Sequence, residues 1–254
     1  MKIEKISYTS WKDFNKCNYY YKLKHIDKIR IPFVGTIYTA FGKSIHHCLE
    51  VGLISKTNKE RAYEIFEKYF EEDIKKEKII VPDMLEWKEK GKKTIYNFWD
   101  KNFKKLFNKI YNVEWKFNIP LYDGKFRITG IIDHITNTKN DNWGIIDWKT
   151  GKYKKPNEES EMQLSFYSVA IEKQFNKIPE WFCLHYIEHD KTNFSFRNKE
   201  KNKETEEQLI RFYNLIGDMQ ENDFKPNFKS CNRFCDFKNT CKYIIGEDGC
   251  GQIR

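Results

Sequence analysis

Asp133, Asp147 and Lys149 combine residue types and spacing that could do chemistry. Gly130-Ile131-Ile132-Asp133 and Ile145-Ile146-Asp147 each end an apolar run in a carboxylate. Such a group at the end of a buried strand is costly unless it is paired or holds a cation. Two of them, with oxygens to spare, suit a hard ion such as Mg²⁺ or Mn²⁺. Lys149 lies two residues beyond Asp147 and so points to the same side of a strand. Its ammonium could orient an attacking water or offset charge on a phosphate. The ion would lower the pKa of that water and stabilise the developing charge. The spacing alone is a weak signal: with 37 acidic and 46 basic residues, an acidic-x-basic tripeptide is expected about seven times by chance. Two strand-end aspartates at turns, one paired with Lys149, would read the same way.

Three further groups carry candidate ligands. His46 and Glu50 stand four residues apart in a helical segment and share a face, so either could add a ligand to the same ion. His47 is the competing imidazole, and helical phase leaves the choice open. Gln163 and Tyr167, also four apart, could hold phosphate or base edges through amide and phenol hydrogen bonds. Cys231, Cys235 and Cys241 fall within eleven residues near the C-terminus, a spacing that suits zinc or an iron–sulfur cluster. A fourth ligand is needed, with Cys250 nearest in sequence and Cys17 in a helix that could return to meet it. Cys48 and Cys183 sit in apolar settings and read as core.

The elements that must position these residues follow from periodicity. Helices are expected over residues 8–24 with Ser10 as N-cap, and over 39–54, 58–78 and 84–110. In the third, Tyr63, Phe66, Phe70 and Ile74 form one apolar stripe. Segments 112–121, 125–136 and 143–149 read as a three-strand meander, turned at Asp123-Gly124. A helix over 160–173, strands over 181–187 and 192–197 and a helix over 203–220 complete an α/β order.

The 254 residues suit one domain with a sizeable core, since 39% are hydrophobic and 17% aromatic. A net charge of +9 favours a polyanionic partner. The chain has no apolar run long enough for a transmembrane helix and no apolar leader at Met1-Lys2-Ile3-Glu4-Lys5, so a cytoplasmic protein is expected. Seven cysteines in a reducing compartment argue against a disulfide framework. There is no phosphate-cradling G-x4-G-K-[ST] loop.

Taken together, the segments resemble the RecB-like branch of the PD-(D/E)xK nucleases, including the CRISPR-associated iron–sulfur exonucleases and the AddB-type nuclease domains. The resemblance is carried by Ser7-Tyr8-Thr9-Ser10 with Cys17 and Tyr19-Tyr20-Tyr21, by Gly42-x3-His46-x2-Leu49-Glu50, by Gly130-Ile131-Ile132-Asp133, by Asp147-Trp148-Lys149-Thr150-Gly151, by Gln163-x3-Tyr167 and by the terminal cysteines, in family order. Two positions depart from the family: Cys231-x3-Cys235 replaces C-x2-C, and Asn18 stands where proline commonly follows the first cysteine.

The resemblance implies a restriction-endonuclease-like α/β core, a mixed β-sheet flanked by helices. It implies one nuclease domain over 1–254, a helical insertion at 58–110 and a cysteine-rich segment at 225–254 pairing with 1–25. His46, Asp133, Asp147 and the Trp148 carbonyl would hold Mg²⁺ or Mn²⁺. Asp133, Asp147, Lys149, Gln163 and Tyr167 would form the catalytic set. Cys17, Cys231, Cys235 and Cys241 would hold a 4Fe–4S cluster in preference to zinc. The implied activity is an exonuclease on DNA ends or single strands, with protein partners in recombination or CRISPR adaptation. The rival reading is a non-catalytic nucleic-acid-binding protein or a zinc-stabilised adaptor of such a complex.

Overall fold

The computed structural model of the chain describes residues 3–32, 34–103, 106, 109–137, 141–231 and 235–245. The chain forms two compact units. One comprises residues 1–33, 118–129 and 203–254, the other 34–117 and 130–202.

In the first unit, β1 (Lys5–Ser7) runs parallel to the opening residues of β3 (Phe126–Asn137), with Ile6 opposite Ile128. Ser7, rather than Ser10, caps α1 (Tyr8–Lys16); the Ser7 hydroxyl accepts the Ser10 N–H while the Ser10 hydroxyl accepts the Ser7 N–H. The helix expected through residue 24 breaks at Cys17, which is extended at φ −163°, and resumes as α2 (Asn18–Tyr21) and a π-helical turn, Lys22–Ile26. Tyr21 packs edge-on against Phe14 and Phe212, the latter on α7 (Lys199–Asp218). The two ends of the chain meet here. Tyr19 N–H donates to the Lys225 carbonyl, and Tyr20 Oη donates to Asp236 at 2.6 Å.

The second unit begins with three helices, α3 (Ile37–Ile54), α4 (Lys59–Lys76) and α5 (Met84–Phe98), each capped by a side-chain oxygen from Thr36, Asn58 or Asp83. Their apolar stripes meet in an aromatic core in which Phe66 stacks on Phe70 and both meet the edge of Phe41. Gly91 belongs to that contact, since a Cβ there would overlap the Phe66 ring. The helix expected to reach residue 110 ends at Phe98. A π-helical turn, Trp99–Phe103, stacks Trp99 on Phe103, and strand begins at Ile110. The periodic aromatics of that segment continue past the helix as core contacts, which is why sequence periodicity overran its end.

β2 (Ile110–Leu121) pairs with β3 through a turn in which Tyr122, Asp123 and Gly124 all hold positive φ. Within the second unit, β3 is antiparallel to β4 (Trp143–Lys149) from His134↔Ile146 to Asn137↔Trp143. β4 is parallel to β5 (Trp181–Tyr186), and β5 is antiparallel to β6 (Lys191–Ser195). The crossover between the parallel strands is α6 (Glu158–Phe175), whose run from Leu164 to Ile171 is buried throughout. The protein is therefore an α/β fold with a mixed sheet flanked by helices, as expected. None of the helices among the described residues is long and apolar enough to cross a membrane.

Candidate active site

The β3–β4 ladder stops at His134↔Ile146, one residue short of Asp133 and Asp147. There the Asp133 carboxylate takes over from the backbone and accepts the Trp148 N–H on Oδ2 at 2.7 Å. β4 remains paired with β5 through Lys149↔Tyr186, so Asp147 is held on a rigid strand. Its carboxylate is buried, with hydrogen bonds on Oδ1 and only an ion pair on Oδ2. Oδ1 accepts from Gln163 Nε2 at 2.9 Å and from Tyr167 Oη at 3.1 Å, and Oδ2 lies 2.6 Å from Lys149 Nζ. Lys149 also donates to Gln163 Oε1 at 3.0 Å, and Gln163 Nε2 reaches Tyr167 Oη at 2.8 Å. The i, i+4 pair on α6 thus clamps Asp147 and Lys149. These two side chains, expected to reach phosphate or base edges, face the acid and the lysine.

Beside this network lies a second group. His46 Nδ1, from α3, is 3.7 Å from Asp133 Oδ2 and 3.9 Å from Glu114 Oε1. One donor atom from each of His46, Glu114 and Asp133 falls within 4.8 Å of the others. Ligands on an octahedral ion at 2.0–2.1 Å are about 3 Å apart when adjacent and about 4 Å when opposite, so this donor set fits one hard divalent ion. His47 turns away, with Nδ1 3.3 Å from Glu50 Oε2 and its ring against Tyr69. Glu50 is therefore engaged by the neighbouring imidazole, and His46 is the one that faces the carboxylates. A cleft of about 610 Å³ opens over His46, Glu114 and Asp133.

Sequence reasoning missed Glu114. It sits inside β2 with a left-handed φ of 50°, a conformation that turns a mid-strand side chain out of the ordinary alternation and is retained at a cost. Nothing in the order Val113-Glu114-Trp115 announces that turn.

Burial, followed by the nearby charge of Asp147, pushes the Asp133 carboxyl up to about 7. Burial would lower His46, but the adjacent Glu114 carboxylate and the charges of Asp133 and Asp147 outweigh this and raise it. Tyr167 is driven well above the usual phenol range by burial and by the Asp147 charge, which keeps it a neutral donor. Helix α3 approaches the end of β4 closely enough that a Cβ on Gly42 would stand 2.9 Å from Thr150 Oγ1. The small residue at position 42 lets His46 reach the strand ends.

The cysteines behave differently from expectation. Cys17 Sγ accepts the N–H groups of Tyr20 and Asn227 at 3.4 Å each. Cys235 is raised by burial and then by the charges of Cys17 and Cys241, so these three are neighbours. Among the described residues, however, no three cysteine sulfurs lie within 4.8 Å of one another. Thiolates on one tetrahedral zinc at 2.3 Å are about 3.8 Å apart, so the expected thiolate centre is not assembled as a single-ion site. Cys250 lies outside the described residues. Cys48 and Cys183 are buried core residues, as their apolar settings suggested.

A family model described as the PD-(D/E)XK nuclease superfamily matches residues 5–242. Among solved structures, a candidate exonuclease from Eubacterium rectale is similar with a TM-score of 0.57 at 9% identity, covering 96% of this chain and 91% of that one, a likeness of fold. The protein SSO0001 aligns over 92% of this chain and 95% of its own at 15% identity, with a TM-score of 0.39 that is too low to bear on the fold. No curated protein matches the chain.

Proposed function

Because the chain belongs to the PD-(D/E)XK nuclease superfamily, whose members cut nucleic acid with divalent metal ions, we propose that it is an Mg²⁺- or Mn²⁺-dependent deoxyribonuclease of the RecB-like branch, acting as an exonuclease on DNA ends or single strands. One observation carries this reading. A donor set that fits a hard ion, His46, Glu114 and Asp133, adjoins a buried Asp147–Lys149 pair fixed by Gln163 and Tyr167.

In this reading His46, Glu114 and Asp133 would hold the ion, with Asp147 and the Trp148 carbonyl as further ligands. The ion supplies a lowered water pKa and stabilisation of charge on phosphorus. Lys149 positions the water or answers the charge of the scissile phosphate. Gln163 and Tyr167 act as positioning residues that hold Asp147 and Lys149 in register. Helices of the 58–110 insertion shape the passage for DNA, and lysines track the strand, which makes binding salt-sensitive. The chain works as one nuclease domain, in a reducing cytoplasm, with partners in recombination or CRISPR adaptation. The test is digestion of end-labelled DNA with Mn²⁺ or Mg²⁺ by wild type, Asp147→Ala and Lys149→Ala. Loss of cleavage with DNA binding kept is expected in both variants; wild-type rates in either reject the site.

The proximity of Cys17, Cys235 and Cys241 where the chain ends meet favours a second, structural element. A 4Fe–4S cluster is wider than a single zinc ion and suits thiols that are neighbours without touching. Cys17, Cys231, Cys235 and Cys241 are proposed to hold it, pairing segment 225–254 with 1–25. Protein purified without oxygen should contain iron and sulfide and be brown, and Cys235→Ser should be colourless. Zinc in stoichiometric amount instead would support the adaptor reading.

A further inference from the structure

We propose that a cavity of about 560 Å³ in the first unit is a phosphate-binding site. It shares no lining residue with the cleft over the metal-binding group, and it stands whether or not the nuclease reading holds.

The cavity wall carries Lys5, Lys28 and His25, against a single acidic residue, Glu4. His25 Nε2 is held 2.8 Å from Asp13 Oδ2, which Lys24 Nζ also approaches at 3.0 Å, so the Asp13 carboxylate is already answered outside the cavity wall. Ile3 and Ile26 add apolar wall, and hydroxyl residues complete it. Ser7 and Ser10, at the start of α1, line it together with Thr129. No acidic residue stands in the first turn of α1, so its N-terminal end keeps its attraction for an anion.

Tyr21 supplies an independent indication. It is only 2% exposed, and its ring is fixed by Phe14, Phe212 and His25. Its hydroxyl nevertheless makes no hydrogen bond to any described residue, and it is not among the polar atoms sealed from solvent. A buried phenol whose one polar atom is left open to a basic cavity is placed to donate to an oxyanion there. Phosphate fits this set of donors better than a carboxylate, since its oxygens can face the Lys5 and Lys28 ammonium groups and the Tyr21 hydroxyl together. A free nucleotide and the backbone of a strand both carry such a phosphate, and the chemistry of recognition is the same.

The test uses the full chain with divalent metal chelated, titrated calorimetrically with inorganic phosphate, thymidine 5′-monophosphate and a short oligothymidylate. Tyr21→Phe removes only the open hydroxyl and keeps the ring packing, so its melting temperature should match wild type while binding weakens about tenfold. Lys28→Ala should weaken binding similarly. Loss confined to the oligothymidylate assigns the site to a strand phosphate, whereas loss with the small probes as well assigns it to a free phosphate ligand. The proposal is overturned if wild type takes up none of the three probes, if Tyr21→Phe binds them all as wild type does, or if Tyr21→Phe melts early, which would show the hydroxyl to be an internal structural partner.

Discussion

Asp133 accepts the Trp148 backbone N–H at 2.7 Å, at the very residue where β3 and β4 cease to pair. A carboxylate here replaces a ladder hydrogen bond, and the same Oδ2 stands 3.7 Å from His46 Nδ1. Asp133→Asn keeps an oxygen for Trp148 and so should keep the fold. It should lower Mn²⁺ affinity by more than about 100-fold and abolish cleavage, as read by calorimetry and end-labelled DNA.

Glu114→Gln tests the ligand that the sequence did not announce. Its amide oxygen is a weaker ligand than a carboxylate, and a loss of about tenfold or more in metal affinity is expected. Unchanged affinity would remove Glu114 from the metal site.

Tyr167→Phe deletes one of two donors to Asp147 Oδ1 and leaves Gln163 in place. A positioning role predicts a fall in kcat of about 10- to 100-fold with KM for DNA little changed. A rise in KM alone would mean that the phenol contacts substrate.

The raised Asp133 and His46 groups fix the sign of the pH response. Both bind protons in the folded, metal-free protein at pH values where the unfolded chain has released them. Their contribution to stability is therefore present at low pH and lost as pH rises, for Asp133 from about 4 up to about 7. An ion must displace the same protons, so Mn²⁺ affinity should climb through about pH 7 with proton release. The rise in melting temperature caused by Mn²⁺ should be larger at pH 8 than at pH 6, and Asp133→Asn should flatten the difference.

Gly42→Ala should destabilise by about 1–3 kcal/mol, because the new methyl meets Thr150 Oγ1 at 2.9 Å. Adding Thr150→Ala should recover part of the loss, a coupling readable in urea melts as non-additivity.

Most of the fold was legible because its signals are local. Strand β4 was expected over 143–149 and is found there, and the Phe66, Phe70 and Ile74 stripe is buried. The expected helix ends failed at Cys17 and Phe98, where tertiary packing continues the aromatic pattern after the helical hydrogen bonds stop. At the site, Asp133 and Asp147 are visible as acids ending apolar runs. The direction of His46 over His47 required the fold, because adjacent helical residues differ by about 100° and both faces are apolar nearby. Glu114 was hidden by a backbone twist that no side chain signals. The engagement of Gln163 and Tyr167 with Asp147 was equally hidden, since spacing places two side chains on one face without saying what lies opposite.

His46 and Tyr167 bracket the polar cluster in sequence, and Glu114, Asp133, Asp147 and Lys149 all fall between them. A ribosome must release the whole stretch, through the crossover helix, before the last partner of Asp147 is in place. Polypeptides halted before Tyr167 would lack one of its clamps, so unfinished synthesis products could not assemble the complete cluster.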